Sequence, residues 1–182
     1  MARPRGSARQ KIIEAAGELA QQTGAGNLSL DAVAARAGIS KGGLLYHFPT
    51  KTKLMEALVA QFVDEFARSL AVREAASERT SDRLLSAYFE QFIEHHARDK
   101  PPPASLLAAL AEDPGFLAPI RELERVLLDR MKREGSDPAI ALIAYLVIHG
   151  IRTMELLSLD IMSGDEIDMV LTRLRALIGE GS

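Results

Sequence analysis

The chain has 182 residues, of which 47% are hydrophobic and 26% are charged, a composition typical of a folded globular protein. It contains no cysteine, which excludes disulfide scaffolds, thiolate metal sites and cysteine nucleophiles. The first ten residues are basic and polar with no apolar stretch directly behind them, so we expect no signal peptide. The longest purely apolar run is only a few residues, so we expect no membrane-spanning helix. These features predict a soluble, cytoplasmic protein.

The modest net charge of −3 hides an uneven distribution along the chain. Residues 1–55 carry a net charge of +5, whereas residues 56–182 carry a net charge of −8. A basic N-terminal third on an acidic body favours contact between that end and a polyanion. Chance scatter of surface charge explains the numbers equally well, so charge alone does not decide.

Helical periodicity runs through the whole sequence, and the alternation typical of β-strands is missing. We therefore predict an all-α protein with about nine helices, whose ends are marked by capping residues and by glycine or proline. In chain order they occupy about residues 8–23, the stretch between a Ser29 cap and Gly38, a Ser40 cap to Tyr46, a Thr50 cap to Ala76, 81–98, 104–111, Pro114 to Gly135, the apolar stretch 139–162 behind an Asp137 cap, and 165–178.

Residues 30–49 have the spacing of a helix-turn-helix. Ala34 is small enough for close approach of the next helix, and Gly38 tolerates the positive φ that a tight turn needs. Leu44 is placed to pack back onto the first helix of the pair. The second helix then keeps an exposed outer face, and a helix of this kind fits the major groove of DNA.

The exposed first turn of that second helix is formed by Lys41, Gly42 and Gly43. Lys41 can donate to a guanine edge or to a phosphate, and the glycines let the backbone approach the groove floor. Glycine lowers helix stability by about 1 kcal/mol relative to alanine, so ordinary helix packing alone accounts poorly for the pair. Further contacts to the DNA backbone are expected from the helix starts capped by Ser29 and Ser40, from the side chains of Tyr46, His47 and Lys51, and from the basic tail residues Arg3 and Arg5, which lie along the backbone or in the minor groove. Taken singly, Tyr46 and His47 fit a partly buried tyrosine and a capping histidine equally well.

At this point the N-terminal segment resembles the DNA-binding domain of the TetR family of bacterial transcriptional regulators. One position departs from the family pattern, because Leu45 stands where the family usually has a phosphate-contacting tyrosine. We therefore assign the phosphate role to Tyr46, His47 and Lys51 and expect Leu45 to face inward. The resemblance covers roughly residues 8–55 and rests on Thr23-Gly24, Leu28-Ser29-Leu30, Val33-Ala34, Ala37-Gly38-Ile39-Ser40, Lys41-Gly42, Leu44, Tyr46-His47-Phe48-Pro49-Thr50-Lys51 and Leu54.

The resemblance implies a helix-turn-helix DNA-binding domain over residues 1–50 and a helical effector-binding and dimerisation domain over residues 51–182. It also implies a homodimer that binds double-stranded DNA at a near-palindromic operator, most simply as a repressor. An unidentified small apolar or amphipathic effector would bind within the bundle, change the separation of the two recognition helices and weaken operator binding. No cofactor and no enzymatic activity are implied.

The segment 139–162 is apolar over more than one helical stripe, so it must be buried on several sides. A domain of this size can achieve that only with a core and a partner together, which favours a symmetric dimer. A central core helix in a monomer is the alternative. The expected interface residues are Leu142, Tyr145, Arg152, Met169 and Arg173. As a charge on an apolar helix, Arg152 needs a carboxylate partner or an exit to solvent.

An apolar effector cavity in the second domain has ten candidate lining residues. Composition does not distinguish a cavity from a packed interior, so ordinary core positions explain most of them equally well. His149 in particular is either a hydrogen-bonded core histidine or a polar group in the cavity. The candidates are Phe62, Phe66, Tyr88, Phe89, Phe92, Leu107, Leu110, Phe116, Tyr145 and His149.

Neither a catalytic constellation nor a metal site is predicted. The adjacent His95 and His96 point about 100° apart on a helix, so they do not share a ligand position. A solvated pair or a pair capping the helix end is expected instead. The sequence lacks a nucleophile elbow and a phosphate-binding glycine loop. The competing interpretation is a helical protein–protein interaction module whose basic end contacts an acidic partner.

Overall fold

The computed structural model describes residues 7–23, 28–79, 81–96 and 114–180. Within these residues the chain forms eight α-helices, one short 3-10 helix and no strand. The helices are α1 (Ala8–Thr23), α2 (Leu30–Ala37), α3 (Lys41–His47), α4 (Lys51–Ala75), α5 (Arg83–His96), the 3-10 helix Pro114–Leu117, α6 (Ala118–Glu134), α7 (Pro138–Leu156) and α8 (Gly164–Glu180).

Capping side chains begin the helices where the sequence predicts them. The hydroxyls of Ser29, Ser40 and Thr50 accept hydrogen bonds from the backbone N–H groups three residues later, at 3.1–3.2 Å. Asp137 accepts from the N–H of Ala139 at 2.7 Å and is followed by proline at the first helical position. Because each cap satisfies a donor that the helix leaves free, it stabilises the helix by about 1 kcal/mol.

One predicted helix differs from the structure in its length. The eighth predicted helix was expected to reach residue 162, but α7 ends at Leu156 because the chain turns at Ser158, whose φ is +51°. The N–H of Leu159 bonds to the carbonyl of Met154 at 2.9 Å, which closes the helix in the way that a glycine usually allows. The helix predicted over residues 104–111 lies outside the described residues.

The described part of the chain divides into two compact units. The first unit contains the residues up to Asp64 together with the segment that ends at Arg121. Among the described residues, the second unit contains residues 65–79, 81–96 and 122–180. The division therefore falls inside α4, whereas the sequence places a domain boundary at residue 50, which stays a prediction.

The core of the first unit joins α1, α2, α3 and the first half of α4. Val33, Leu44 and Leu54 are completely buried in it. Leu45 is half-buried and packs against the same core, as the sequence predicts. This packing holds α3 by one face and leaves its other face at the surface.

The core of the second unit is built around α5, which contacts both α7 and α8. Tyr88, Phe89 and Phe92 of α5 are each 1% exposed. At one end of this unit the buried carboxylate of Asp82 accepts hydrogen bonds from the backbone N–H of Ser136 at 3.1 Å and from its hydroxyl at 2.7 Å. These bonds tie the turn before α5 to the turn between α6 and α7.

One side of α7 is apolar but exposed. Ala141, Ala144 and Ile148 lie on its buried side, whereas Leu142 is 42% and Leu146 is 69% exposed. By length and composition alone α7 could cross a membrane, with a mean hydropathy of 1.5 over a window that is 22% buried, although the core helix of a soluble protein meets the same criterion. The sequence predicts no membrane-spanning helix, but α7 meets the criterion of length and composition for one. The criterion does not say what covers the exposed apolar side of α7.

Candidate DNA-binding surface and effector site

The helix-turn-helix of the first unit is formed as the residue spacing predicts. Gly38 adopts the left-handed conformation, with φ +67°, at the C-terminus of α2. The N–H of Ile39 then bonds to the carbonyl of Ala34 at 3.0 Å. A side chain at position 38 would strain this backbone, so glycine is required for the turn that sets the direction of α3.

The outer face of α3 is open. Lys41 and Gly42 are exposed, and the ring of Tyr46 is 84% exposed. A Cβ atom added to Gly42 would meet nothing within 4 Å, so no neighbour in the protein requires glycine there. Because glycine weakens a helix without improving its packing at this position, its presence favours close approach of another molecule to the backbone.

The other predicted DNA contacts lie around this face with different exposures. His47 and Lys51 are half-buried, and the ring of His47 packs edge-on against Tyr46 at 5.2 Å between centroids. The hydroxyls of Ser29 and Ser40 already accept the N–H groups of Ala32 and Gly43, so those two donors are not free for a phosphate. Arg3 and Arg5 lie outside the described residues.

Two exposed ion pairs link the helices of the first unit. The ammonium of Lys41 lies 2.9 Å and 3.0 Å from the two carboxylate oxygens of Asp31 in α2. The guanidinium of Arg36 bonds to Glu18 of α1 at 2.7 Å. Asp31 is absent from the predicted site, since a single aspartate ten residues before a lysine carries no sequence signal.

A polar cluster lies in the second unit, centred on the hydroxyl of Tyr88. That oxygen is 2.9 Å from a carboxylate oxygen of Glu124 in α6 and 3.0 Å from Nε2 of His149 in α7. Burial and the nearby Glu124 carboxylate raise the pKa of Tyr88, so the phenol keeps its proton. It donates that proton to Glu124 and can accept a hydrogen bond from His149.

Aromatic rings and one guanidinium surround this cluster. The ring of Tyr145 lies 4.1 Å from the ring of His149, and burial raises the pKa of Tyr145. Phe66 of α4 packs edge-on against Tyr88 at 6.0 Å. Arg152 lies over the rings of Tyr88 and Phe92, at 5.8 Å and 5.5 Å from their centroids. Aromatic faces, a carboxylate and a guanidinium are thus combined within one region of the second unit.

The predicted cavity residues do not all lie in this region. Phe66, Tyr88, Tyr145 and His149 belong to the polar cluster, and Phe92 borders it through Arg152. Phe89 instead packs under Arg175 of α8. Phe62 and Phe116 belong to the first unit, and Leu107 and Leu110 lie outside the described residues. Glu124 is absent from the predicted set, because an acidic residue on an amphipathic helix looks like part of a solvated face.

The predicted interface residues separate into two groups. Leu142 of α7 and Met169 and Arg173 of α8 are exposed, with Met169 at 71%. Tyr145 and Arg152 instead contact Tyr88 in the polar cluster. Further exposed apolar side chains on the two helices are Ile143, Leu146 and Val170.

The histidines of α5 each have a partner. Nδ1 of His95 lies 2.6 Å from the backbone carbonyl of Gln91 in its own helix. Nδ1 of His96 lies 2.5 Å from the carboxylate of Glu155 in α7. Among the residues that the structure describes, no group of three or more histidines and carboxylates converges on a point where a metal ion could bind.

Comparisons with known proteins agree with this arrangement. The curated relative FasR of Mycolicibacterium smegmatis, an HTH-type transcriptional activator, is 32% identical over 97 residues, which are 52% of this chain and 44% of that protein. The chain thus spans less than half the length of this relative. Among solved structures, the multidrug binding protein EbrR complexed with malachite green has a TM-score of 0.71 at 25% identity and covers 97% of this chain and 98% of its own. A TetR family member from Streptomyces coelicolor A3 has a TM-score of 0.68 at 29% identity, with coverages of 93% and 98%.

Two family profiles match separate parts of the sequence. Residues 12–58 match the bacterial regulatory proteins of the tetR family, and residues 82–179 match the tetracyclin repressor-like C-terminal domain. The first match contains the helix-turn-helix, and the second contains Tyr88, Glu124 and His149. The relatives are transcriptional regulators rather than enzymes. The chain is therefore a member of the TetR family of DNA-binding transcriptional regulators.

Proposed function

We propose that the protein acts as a homodimer on a near-palindromic operator and represses transcription until a small molecule binds its second unit. Each subunit would place α3 in a major groove, with Lys41 at the base edges. The open outer face of α3, where a Cβ on Gly42 would meet no neighbour, is the observation that carries this proposal. Such a regulator works in the cytoplasm, where the bacterial chromosome lies.

Selection of bound sequences from a random DNA pool tests the DNA-binding part of the proposal. We expect an inverted repeat, because two symmetry-related copies of α3 read two half-sites. A single unrepeated site, or no enrichment at all, would contradict the dimeric arrangement. No enrichment combined with binding to an acidic protein would favour the interaction module instead.

The exposed apolar sides of α7 and α8 support a homodimer. Leu146 is 69% and Met169 is 71% exposed, and Ile143 and Val170 extend the same kind of surface. Contiguous apolar side chains at a surface mark a protein interface or a membrane contact. A second copy of the same two helices would cover this surface by symmetry.

A charge placed on this surface separates the dimer from the alternatives. We expect Leu146→Glu to convert a dimer to a monomer in sedimentation at micromolar concentration, because it puts a carboxylate into an apolar interface. Val72→Glu is the matched control, since Val72 is 72% exposed and belongs to α4 rather than to α7 or α8. A monomeric parent protein, or a dimer that tolerates both variants equally, would contradict the proposed interface.

The effector is proposed to bind at the polar cluster around Tyr88. The aromatic rings of Tyr145 and Phe66 suit an apolar ligand body, while the carboxylate of Glu124 and the imidazole of His149 suit a polar group. The ligand-bound neighbour EbrR holds malachite green, an aromatic dye, which makes this dye a suitable probe. Binding would weaken operator affinity if the ligand-bound state presents α3 less favourably to the two half-sites.

Dye titration tests this part of the proposal. We expect malachite green to bind the full chain and to weaken the complex with the selected DNA. Tyr88→Phe should weaken dye binding several-fold, because it removes the hydroxyl that joins Glu124 to His149. Tyr46→Phe removes an exposed hydroxyl in the first unit and should leave dye affinity unchanged without DNA. Equal effects of the two variants would contradict the assigned site.

Transcription in vitro decides the direction of regulation. From a promoter that overlaps the selected site, we expect the protein to reduce transcript yield and malachite green to restore it. A rise in yield with the protein would identify an activator, the activity that the name of the relative FasR carries.

A further inference from the structure

The lysine at the start of α3 is held by an acidic residue of α2. Both carboxylate oxygens of Asp31 lie within 3.0 Å of the Lys41 ammonium. The two side chains are 69% and 59% exposed, so the pair lies on the open surface of the helix-turn-helix. Asp31 is the second residue of α2, two residues after the Ser29 cap.

This pair contributes little to folding. Exposed ion pairs stabilise proteins by about 0–1 kcal/mol, and salt weakens them further. The first unit has a completely buried core around Val33, Leu44 and Leu54 that does not depend on the pair. Asp31 lies in the first turn of α2, where a carboxylate favours the helix dipole, and its pair with Lys41 gives it a second effect at the face that α3 exposes.

A carboxylate at position 31 can oppose unspecific binding to DNA in two ways, and only the second of them acts through Lys41. It occupies the N-terminus of α2, where a phosphate would otherwise be attracted to the free N–H groups and the helix dipole. It also neutralises the Lys41 ammonium, which would otherwise bind any phosphate within reach. The phosphate backbone supplies nearly all unspecific affinity, so such a residue lowers binding to every sequence alike.

We propose that Asp31 is a specificity-determining residue that acts through Lys41. It holds the ammonium at the start of α3, so that Lys41 adds affinity where a base edge offers acceptors and adds little where the DNA offers phosphates alone. The inference rests on the proposed placement of α3 in the major groove, and it is independent of the dimer and of the effector.

Binding of the full chain to the selected duplex and to a random duplex tests this role. We expect Asp31→Asn to tighten binding to random DNA about fivefold and to change binding to the selected site less than twofold, so the ratio of the two affinities falls. A freed Lys41 that contacts a phosphate also steepens the salt dependence on random DNA by about one unit. Asp31→Glu keeps the charge and should retain most of the parent ratio.

The matched control for charge is Glu18→Gln. Glu18 also forms an exposed pair between two helices of the first unit, with side chains 55% and 43% exposed, but its partner is Arg36. Both variants raise the net charge by one. Equal effects of the two variants on random DNA and on the affinity ratio would overturn the proposal.

A double variant shows whether Asp31 acts through Lys41. In a Lys41→Ala background, Asp31→Asn should change binding to random DNA less than twofold; a persisting fivefold effect would indicate simple repulsion and overturn the inference. Lys41→Ala alone must alter the preferred sequence. If it does so while Asp31→Asn behaves like Glu18→Gln, only this inference fails. If Lys41→Ala changes no preference, the proposed groove contact fails together with it.

Discussion

The two units place their polar groups on opposite sides of their helices. In the first unit two of the side chains assigned to DNA lie fully at the surface, since Tyr46 is 84% exposed and Lys41 forms an exposed pair with Asp31. In the second unit the comparable groups point inward, where Tyr88 is 1% exposed and bonds to Glu124 and His149.

This difference explains why the two functions are not equally visible in the sequence. A protein surface that approaches DNA needs a turn glycine, small residues and a basic residue at fixed spacings. These residue types are unusual choices for stability alone. An interior that holds a ligand uses the same aromatic and aliphatic residues as a packed core.

The largest expected effect comes from the core of the first unit. Leu44 is completely buried, so Leu44→Ala should lower the free energy of unfolding by about 2–5 kcal/mol and weaken DNA binding, because the cavity loosens the attachment of α3. Thermal melting and DNA titration measure the two effects. Val126→Ala, at a 55% exposed position of α6 in the second unit, should change stability by less than about 0.5 kcal/mol. A small effect of Leu44→Ala would contradict the packing of α3.

An intermediate effect on stability is expected at the turn between α6 and α7, which hydrogen bonds to Asp82 before α5. A Cβ on Gly135 would lie 2.7 Å from Oδ1 of Asp82 and 2.6 Å from the carbonyl oxygen of Met131. Gly135→Ala should therefore lower stability by about 1–3 kcal/mol, since the neighbours must move. Gly164→Ala meets nothing within 4 Å and serves as the control in the same melting experiment. Similar melting temperatures for the two variants would contradict the close approach of Asp82 to Gly135.

The smallest change in stability is expected for Gly42→Ala in the first unit. This substitution should stabilise the fold but weaken DNA binding, so its two effects have opposite signs. Gly42→Ala should stabilise the chain by about 0.5–1 kcal/mol, since alanine favours the helix and its Cβ points into open space. The same Cβ should weaken binding to the selected DNA by hindering the approach of α3. Melting and DNA titration of one preparation give both values. Unchanged or tighter DNA binding would show that the backbone at Gly42 does not approach DNA.

Local rules explain which parts of this fold the sequence predicts. Ser29, Ser40 and Asp137 cap their helices through their own hydrogen bonds, and Gly38 takes the positive φ that its turn requires. The end of α7 was missed because apolar residues continue beyond it, while Ser158 rather than a glycine takes the positive φ. Nothing local marks that residue as a helix terminator.

Tertiary partners explain what the sequence could not predict at the two sites. Asp31 and Glu124 both look like ordinary surface charges in the sequence. Their roles depend on Lys41 in the following helix and on Tyr88, which lies 36 residues away along the chain. A charged residue acquires such a role only when the packing of whole helices brings its partner close, so single-sequence patterns do not reveal it.

The three tyrosines are distributed so that intrinsic fluorescence can report on both sites. The chain has no tryptophan, so tyrosine dominates its near-ultraviolet emission. Tyr46 is solvated on the recognition helix, whereas Tyr88 and Tyr145 lie together beside His149. Occupation of the DNA face and occupation of the polar cluster would perturb different tyrosines, so a comparison of the parent chain with Tyr46→Phe would assign a change in emission to one of the two sites.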